Sequence, residues 1–214
     1  MLSEADSTRV QLLDAAERLF LEKGLDDVSA RAIVREAGQK NQSALQYHFG
    51  GRSGLISAII SRRMKQVEAR RRKLIAATIP PGETPDLHTI CRVLVGAPFY
   101  LCRETREFRE FLGQLGQKLL ASDQEVTQED DGELASLREL RIGIRKQLSH
   151  IPAEVMSLRA ENANNFVLLT ISRRARLGGS FRGRRADLFY NNLVDQLTGM
   201  LSAPVSEETQ SVLD

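Results

Sequence analysis

Ser29-Ala30-Arg31-Ala32-Ile33-Val34-Arg35-Glu36-Ala37-Gly38, a short polar link, and Ala44-Leu45-Gln46-Tyr47-His48-Phe49-Gly50-Gly51-Arg52 form two brief apolar-periodic segments, each closed by glycine. Ser29 is an N-cap residue type, and Ala32, Ile33 and Ala37 recur at the spacing of one helix face, which predicts a helix over 30–37 ended by Gly38. Ala44, Leu45 and Phe49 do the same for a helix over 42–49, broken by the two glycines. Upstream, Val10, Leu12, Leu13, Ala16, Leu19 and Phe20 make one stripe of a helix over 8–23, stopped by Gly24. Downstream, a longer helix starts near Ser53, carries Leu55, Ile56, Ile59, Ile60, Met64 and Val67, and ends before Pro80.

The stretch 79–84, with two prolines and a glycine, reads as a joint. Beyond it the same periodicity predicts five more helices, over 86–104, 105–121, 133–150, 152–177 and 187–201. An acidic loop over 123–131 precedes the third of these and a basic loop with Arg182, Arg184 and Arg185 precedes the last. Pro152 suits a first helical turn. Pro98 cannot donate to the Leu94 carbonyl, which predicts a kink in 86–104. The tail from Pro204 is polar and reads as frayed. No stretch alternates with strand period, so the expectation is an all-α fold of about nine helices.

Composition narrows the class. With 214 residues, 42% hydrophobic and 27% charged, the chain has the make-up of a globular protein and excludes disorder, collagen and a coiled-coil rod. No apolar run approaches the roughly 18 residues of a membrane span, and Glu4 and Asp6 stand where a signal peptide would be basic, so a cytoplasmic protein is expected. Cys91 and Cys102 lie about 16 Å apart if they share a helix, which makes them reduced core thiols rather than a disulfide. His88 and His150 have no second ligand at metal spacing, so neither a metal nor a cofactor is assigned. The chain lacks a nucleophile with a neighbouring base and a glycine-rich phosphate loop followed by Lys, which argues against an enzyme.

Charge is uneven. Between Val28 and Lys73, 11 Lys and Arg face only Glu36 and Glu68. A field so concentrated attracts polyanions, because each neutralised phosphate releases a condensed counterion. Two short helices joined by a polar turn, after a longer helix, match the geometry that lays a recognition helix in the major groove. On the second of them and its approach, Lys40, Asn41, Gln42, Ser43 and Gln46 can reach phosphates or base edges, Asn and Gln suiting adenine. Ser29 and Arg31 at the start of the preceding helix, and Arg52 at the start of the following one, are placed for phosphates.

Leu45-Gln46-Tyr47-His48-Phe49 followed by Arg52 and Leu55, together with Gly24, Ser29-Ala30-Arg31-Ala32-Ile33 and Ala37-Gly38, resembles the signature of the tetracycline-repressor (TetR) family of bacterial regulators. The match covers about residues 8–60. The resemblance implies a helix-turn-helix DNA-binding domain over 1–52 and a larger helical domain over 53–214, with helix 53–78 connecting them. The larger domain would hold a small-molecule pocket and form a homodimer through helices 152–177 and 187–201. Carried over by position, Tyr47 and His48 take the family's groove-facing and backbone-facing places, and Arg52 replaces its usual Lys. Two placements stay open for Tyr47, packed on the first helix or with its hydroxyl on a phosphate; His48 is divided between a half-buried seat beside Phe49 and a backbone contact. Two departures stand out. Gln46 replaces a common Tyr or His, and the segment 38–45 is one residue longer than the commonest pattern.

For the pocket, the kinked helix with Cys91, Val95, Phe99 and Tyr100, together with Phe108, Phe111, Leu115 and Phe166, is the candidate lining of an apolar cavity for an apolar or aromatic effector, against the alternative of ordinary core. The function expected is a ligand-responsive regulator, most simply a repressor released from a palindromic duplex-DNA operator by a small molecule. The alternative is a constitutive or architectural DNA-binding protein.

Overall fold

The computed structural model describes residues 4–24, 27–41, 43–121 and 134–213. Among them are ten helices and no strand: α1 (Glu4–Lys23), α2 (Ala30–Glu36), α3 (Ala44–Phe49), α4 (Arg52–Thr78), α5 (Leu87–Glu104), α6 (Arg106–Ala121), α7 (Ala135–Gln147), α8 (Ala153–Arg176), α9 (Arg184–Ser202) and α10 (Glu207–Leu213). The all-α expectation holds. The chain forms two units, 1–66 and 67–214, and α4 passes from one into the other at Gln66–Val67.

In the first unit α1 packs on α2 and α2 on α3. Leu12, Leu13, Ala16, Leu19 and Phe20 of α1 meet a core completed by Val28, Ile33, Val34, Leu45, Leu55 and Ile59. This is the stripe the periodicity marks except for Val10, which is exposed at the N-terminal end of it, and its burial drives the association. Ion pairs tie the outer face of α1 to α4 within the unit: Arg62 Nη1 lies 2.6 Å from Asp14 and Arg63 Nη2 lies 2.8 Å from Glu17.

In the second unit α5 packs against α9, α7 and α6, while α6 lies along α8 and α8 on α9. Asp86 caps α5, accepting from the Thr89 N–H at 2.7 Å. The helix is continuous through Pro98, and Ile90, Val93, Val95, Phe99 and Cys102 are buried along it. Both cysteines are free and buried, and burial pushes the Cys102 thiol up to about 12 against the weaker pull of Arg109.

Several boundaries differ from the sequence expectation. α1 begins at Glu4, four residues early. α3 begins at Ala44 because Asn41 and Ser43 form its entry turn. α9 begins at Arg184, so Arg184 and Arg185 sit in its first turn rather than in a loop; the Gly183 carbonyl accepts from the N–H groups of Ala186 (2.9 Å) and Asp187 (3.1 Å). The tail is not frayed throughout: Ser206 accepts at Oγ from the Thr209 N–H (3.3 Å), Glu207 and Glu208 occupy the first turn, and α10 follows. Acidic residues there suit the helix dipole, a local signal that carries no apolar stripe. The acidic loop 123–131 lies outside the described residues.

Candidate nucleic-acid interface

The first unit builds its exposed face from the ends of short helices. Ser29, in extended conformation, accepts from the Ala32 N–H at 3.2 Å and so caps α2, as its residue type suggests. At the other end, the Gly38 N–H bonds to Arg35 O and the Gln39 N–H to Val34 O, closing the helix with a left-handed glycine. The turn is then pinned to α1 by Gln39, whose Nε2 donates to Gln11 Oε1 at 2.9 Å.

Asn41 makes the entry to α3. Its Oδ1 accepts from both the N–H (3.0 Å) and the hydroxyl (2.6 Å) of Ser43, and its carbonyl accepts from the Ala44 N–H (3.1 Å). Side-chain to backbone bonding of this kind is what asparagine offers at a turn. Asn41 thus closes the entry to α3 with its own side chain.

Within α3 the division of faces is sharp. Leu45 is 4% exposed and anchors the helix, while Tyr47 is 80% exposed. Ser43 and Gln46 are exposed beside it, and Ala44, His48 and Phe49 are half-buried. Tyr47 meets His48 edge to face at 5.0 Å, and Arg9 of α1 stands over the Phe49 ring at 5.1 Å. Of the placements open for Tyr47, packing on α1 is not the one adopted; His48 takes the half-buried seat.

The exit from α3 is equally constrained. Gly50 and Gly51 both adopt positive φ, 67° and 112°, a path closed to most side chains. A Cβ on Gly51 would stand 3.1 Å from Gln46 Oε1, so the carboxamide leans over this turn. At Gly54 a Cβ would overlap the Phe49 carbonyl oxygen, so the start of α4 approaches α3 as closely as backbone allows.

Arg52 is turned inward. Its Nη1 donates to the Val28 carbonyl, and its guanidinium lies 5.6 Å from the Phe20 ring centre. Ser29, Arg31, Lys40, Asn41, Ser43, Gln46 and Tyr47 are exposed, His48 and Arg52 half-buried, and Gln42 lies outside the described residues.

The residues considered for a pocket all lie in the second unit. Cys91, Val95, Phe99, Phe108 and Phe111 are buried, Tyr100 and Phe166 are half-buried, and the side chain of Leu115 is outside the described set. Phe99 and Tyr100 join Phe181, Phe189 and Tyr190 in one aromatic cluster, with ring centres 5.1 to 6.2 Å apart around Phe99. Phe108 and Phe111 face each other at 6.2 Å. Sequence reading missed the partners from the α8–α9 link and α9, and it missed the arginines that cover the rings: Arg103 over Phe99 and Tyr100, Arg174 over Phe189 at 4.3 Å. Among the described residues no group of three or more His, Cys, Asp and Glu could hold a metal ion, and no helix is long and apolar enough to cross a membrane.

Three helices with a capped turn, an anchored short third helix and an outward polar and aromatic face define the helix-turn-helix class. Comparison with known proteins agrees. Residues 12–59 match the profile of the family described as bacterial regulatory proteins, tetR family. The regulator SrpR of Pseudomonas putida is 32% identical over 66 residues, 31% of this chain and 30% of that protein, and UidR of Escherichia coli K12 is 35% identical over 75 residues, 35% and 38% respectively. The chain thus spans less than half the length of the curated relatives it matches. The N-terminal unit is similar to the DNA-binding part of bacterial regulators of the tetR family. The fold extends further. A putative tetR family regulator of Shewanella sp. PV-4 superposes with a TM-score of 0.58 at 16% identity over 89% of this chain and 95% of that one. Native NalD of Pseudomonas aeruginosa gives 0.56 at 21% identity over 95% and 100%.

Proposed function

We propose that the chain is a ligand-responsive repressor, which binds a palindromic operator as a homodimer and is released by a small molecule. The observation that carries the DNA-binding part is the contrast between Leu45, 4% exposed, and Tyr47, 80% exposed, on a helix of six residues. A phenol, a carboxamide from Gln46 and the hydroxyl of Ser43 occupy one outward face of a helix that fits the roughly 12 Å major groove. Arg31 and Lys40, exposed on either side of the turn, supply charge for the phosphates. Arg52 holds the start of α4 against Val28 and Phe20, and so positions α3.

For the homodimer, α8 and α9 expose large apolar side chains, among them Leu158 (59%) and Leu188 (70%). Two copies covering these faces across a two-fold axis present two copies of α3, which require a palindromic site. A ligand that prefers one spacing of the two reading helices then shifts the affinity for DNA.

The test is anisotropy titration of the full chain with duplexes from the region flanking its own coding sequence, at several salt concentrations and with a panel of small molecules, alongside a mass measurement. Expected are twice the 23.9 kDa chain mass, preference for one duplex, and affinity falling linearly with salt on logarithmic axes. Preference without response to any compound would make the protein a constitutive regulator, and indifference to sequence an architectural one. Absence of binding to every duplex at low salt would overturn the reading.

A further inference from the structure

Residues 173–185, which end α8, cross to α9 and begin it, hold six arginines and no acid. From Asn162 to Ala186 the chain has no Lys, Asp or Glu at all.

Part of this charge builds the link. Arg174 donates from Nε (2.9 Å) and Nη2 (2.5 Å) to the Ser180 carbonyl, and its guanidinium lies 4.3 Å from the Phe189 ring centre. Ser180 Oγ accepts from the Arg182 N–H at 3.1 Å, and Arg182 Nη2 donates to the Arg103 carbonyl at 3.2 Å. Phe181, 1% exposed, anchors the link in the core of the second unit. The first acid after the link, Asp187, is taken by Arg103 Nη2 at 2.6 Å.

Arg173, Arg176, Arg184 and Arg185 are left over. All four are exposed, and none has an ion-pair partner among the described residues. Arg184 and Arg185 occupy the first turn of α9, where the helix dipole is already positive and acids are favoured. Folding gives no reason for cations there, and a local conflict of this kind marks a functional surface. Planar guanidinium forks take phosphate oxygens two at a time. Uncompensated positive charge, held on a fixed and exposed surface, complements a duplex that carries one negative charge per roughly 1.7 Å. Two packed helix ends, about 20 Å across, are too broad for the roughly 12 Å major groove, so contact stops at the backbone.

We propose that the α8–α9 link is a second duplex-binding surface, which takes DNA phosphates through Arg173, Arg176, Arg184 and Arg185 without reading bases. The choice of DNA as partner rests on the proposed function.

The experiment is anisotropy titration of the full chain with duplexes from the region flanking its own coding sequence, between about 50 and 200 mM salt. The double variant Arg184→Gln, Arg185→Gln is compared with Arg141→Gln, Arg145→Gln, which removes the same charge from exposed positions of α7. The link variant binds every duplex at least about tenfold more weakly at low salt, its salt slope is shallower by about one or more, and the order of preference among duplexes is kept. The α7 variant stays within about twofold of the parent. Without DNA, the Tm of the link variant equals or exceeds that of the parent, because the first turn of α9 loses its unfavourable charge, and its mass in solution is unchanged. An unchanged slope, an equal loss in the α7 variant, an altered order of preference, a lower Tm or a halved mass overturns the surface. Binding to phosphatidylglycerol vesicles that the link variant loses, with DNA binding intact, would assign it to a membrane instead. A parent that binds all duplexes alike, with the link variant weaker, overturns the repressor reading and leaves the surface standing. A parent with sequence preference, whose affinity the link variant keeps, overturns the surface alone, and a parent that binds no duplex overturns both.

Discussion

Glu68 and Ser136, 68 residues apart, are joined by two hydrogen bonds from one residue to one carboxylate, backbone N–H to Oε1 and hydroxyl to Oε2. The pair fastens α4 to the first turn of α7, where N–H groups otherwise lack intrahelical partners.

This arrangement makes stability depend on acid. Burial pushes the Glu68 carboxyl up, but the Ser136 bonds and the Arg71 guanidinium outweigh it and hold the group below the usual 4.5. A folded-state value below the unfolded one stabilises above the unfolded value and is lost as the pH falls through the folded one. Urea unfolding of Glu68→Ala against the parent gives a loss of about 3 to 5 kcal/mol at pH 7, since Arg71 is left buried without its carboxylate. The gap shrinks once the pH drops below about 4.5. A gap that is constant down to pH 3 would show that the carboxylate is not held in its charged form.

Gly54→Ala reverses an ordinary sign. In an open helix the change stabilises by about 1 kcal/mol, but here the new methyl overlaps the Phe49 carbonyl oxygen at the junction of α3 and α4. Chemical unfolding gives a loss of about 1 to 3 kcal/mol. Gly199→Ala, whose Cβ meets nothing within 4 Å in α9, is the control and is neutral or stabilising. Equal behaviour of the two would mean that the junction yields.

Gln46→Ala and Arg52→Ala separate reading from positioning. The first leaves unfolding stability within about 0.5 kcal/mol of the parent, as exposed sites do, and changes which duplex is preferred. The second lowers Tm, because the Val28 carbonyl and the Phe20 ring lose their partner. Arg52→Ala with parental Tm, uniformly weaker DNA binding and a salt slope reduced by about one would instead place the guanidinium on a phosphate.

The thiol of Cys102, pushed up to about 12 by burial, resists alkylation in the native protein. Iodoacetamide at pH 8 modifies it at the rate of global unfolding, read by mass spectrometry, and labelling within minutes at neutral pH would contradict the packing of α5.

The helices of the first unit are legible in the sequence because each signal is local: the α1 stripe, the Ser29 cap, the glycines at 24, 38, 50 and 51. The outward face of α3 follows from the same periodicity, since placing Leu45 inside puts Gln46 and Tyr47 outside. What the sequence does not give is where a long side chain goes when its partner is distant. Arg52 reads as a free cation at a helix start, yet its acceptor is 24 residues back. Arg103 reads as a helix-end charge, yet its Nε donates to Phe181 O, 78 residues on, at 2.6 Å. Asn41 reads as a base-reading group because residue type alone does not distinguish an amide aimed at DNA from one that closes its own turn. α10 escapes for another reason: none of its residues is buried, so it leaves no apolar imprint.

Leu45 is the buried residue of α3, while Gln46 and Tyr47 project away from the core, so in the proposed reading sequence preference and foldability are written on different letters of the same short word. Under the proposed function, exchanging Gln46 and Tyr47 edits the address the protein seeks and leaves its architecture intact, so a new operator lies only a few codons away.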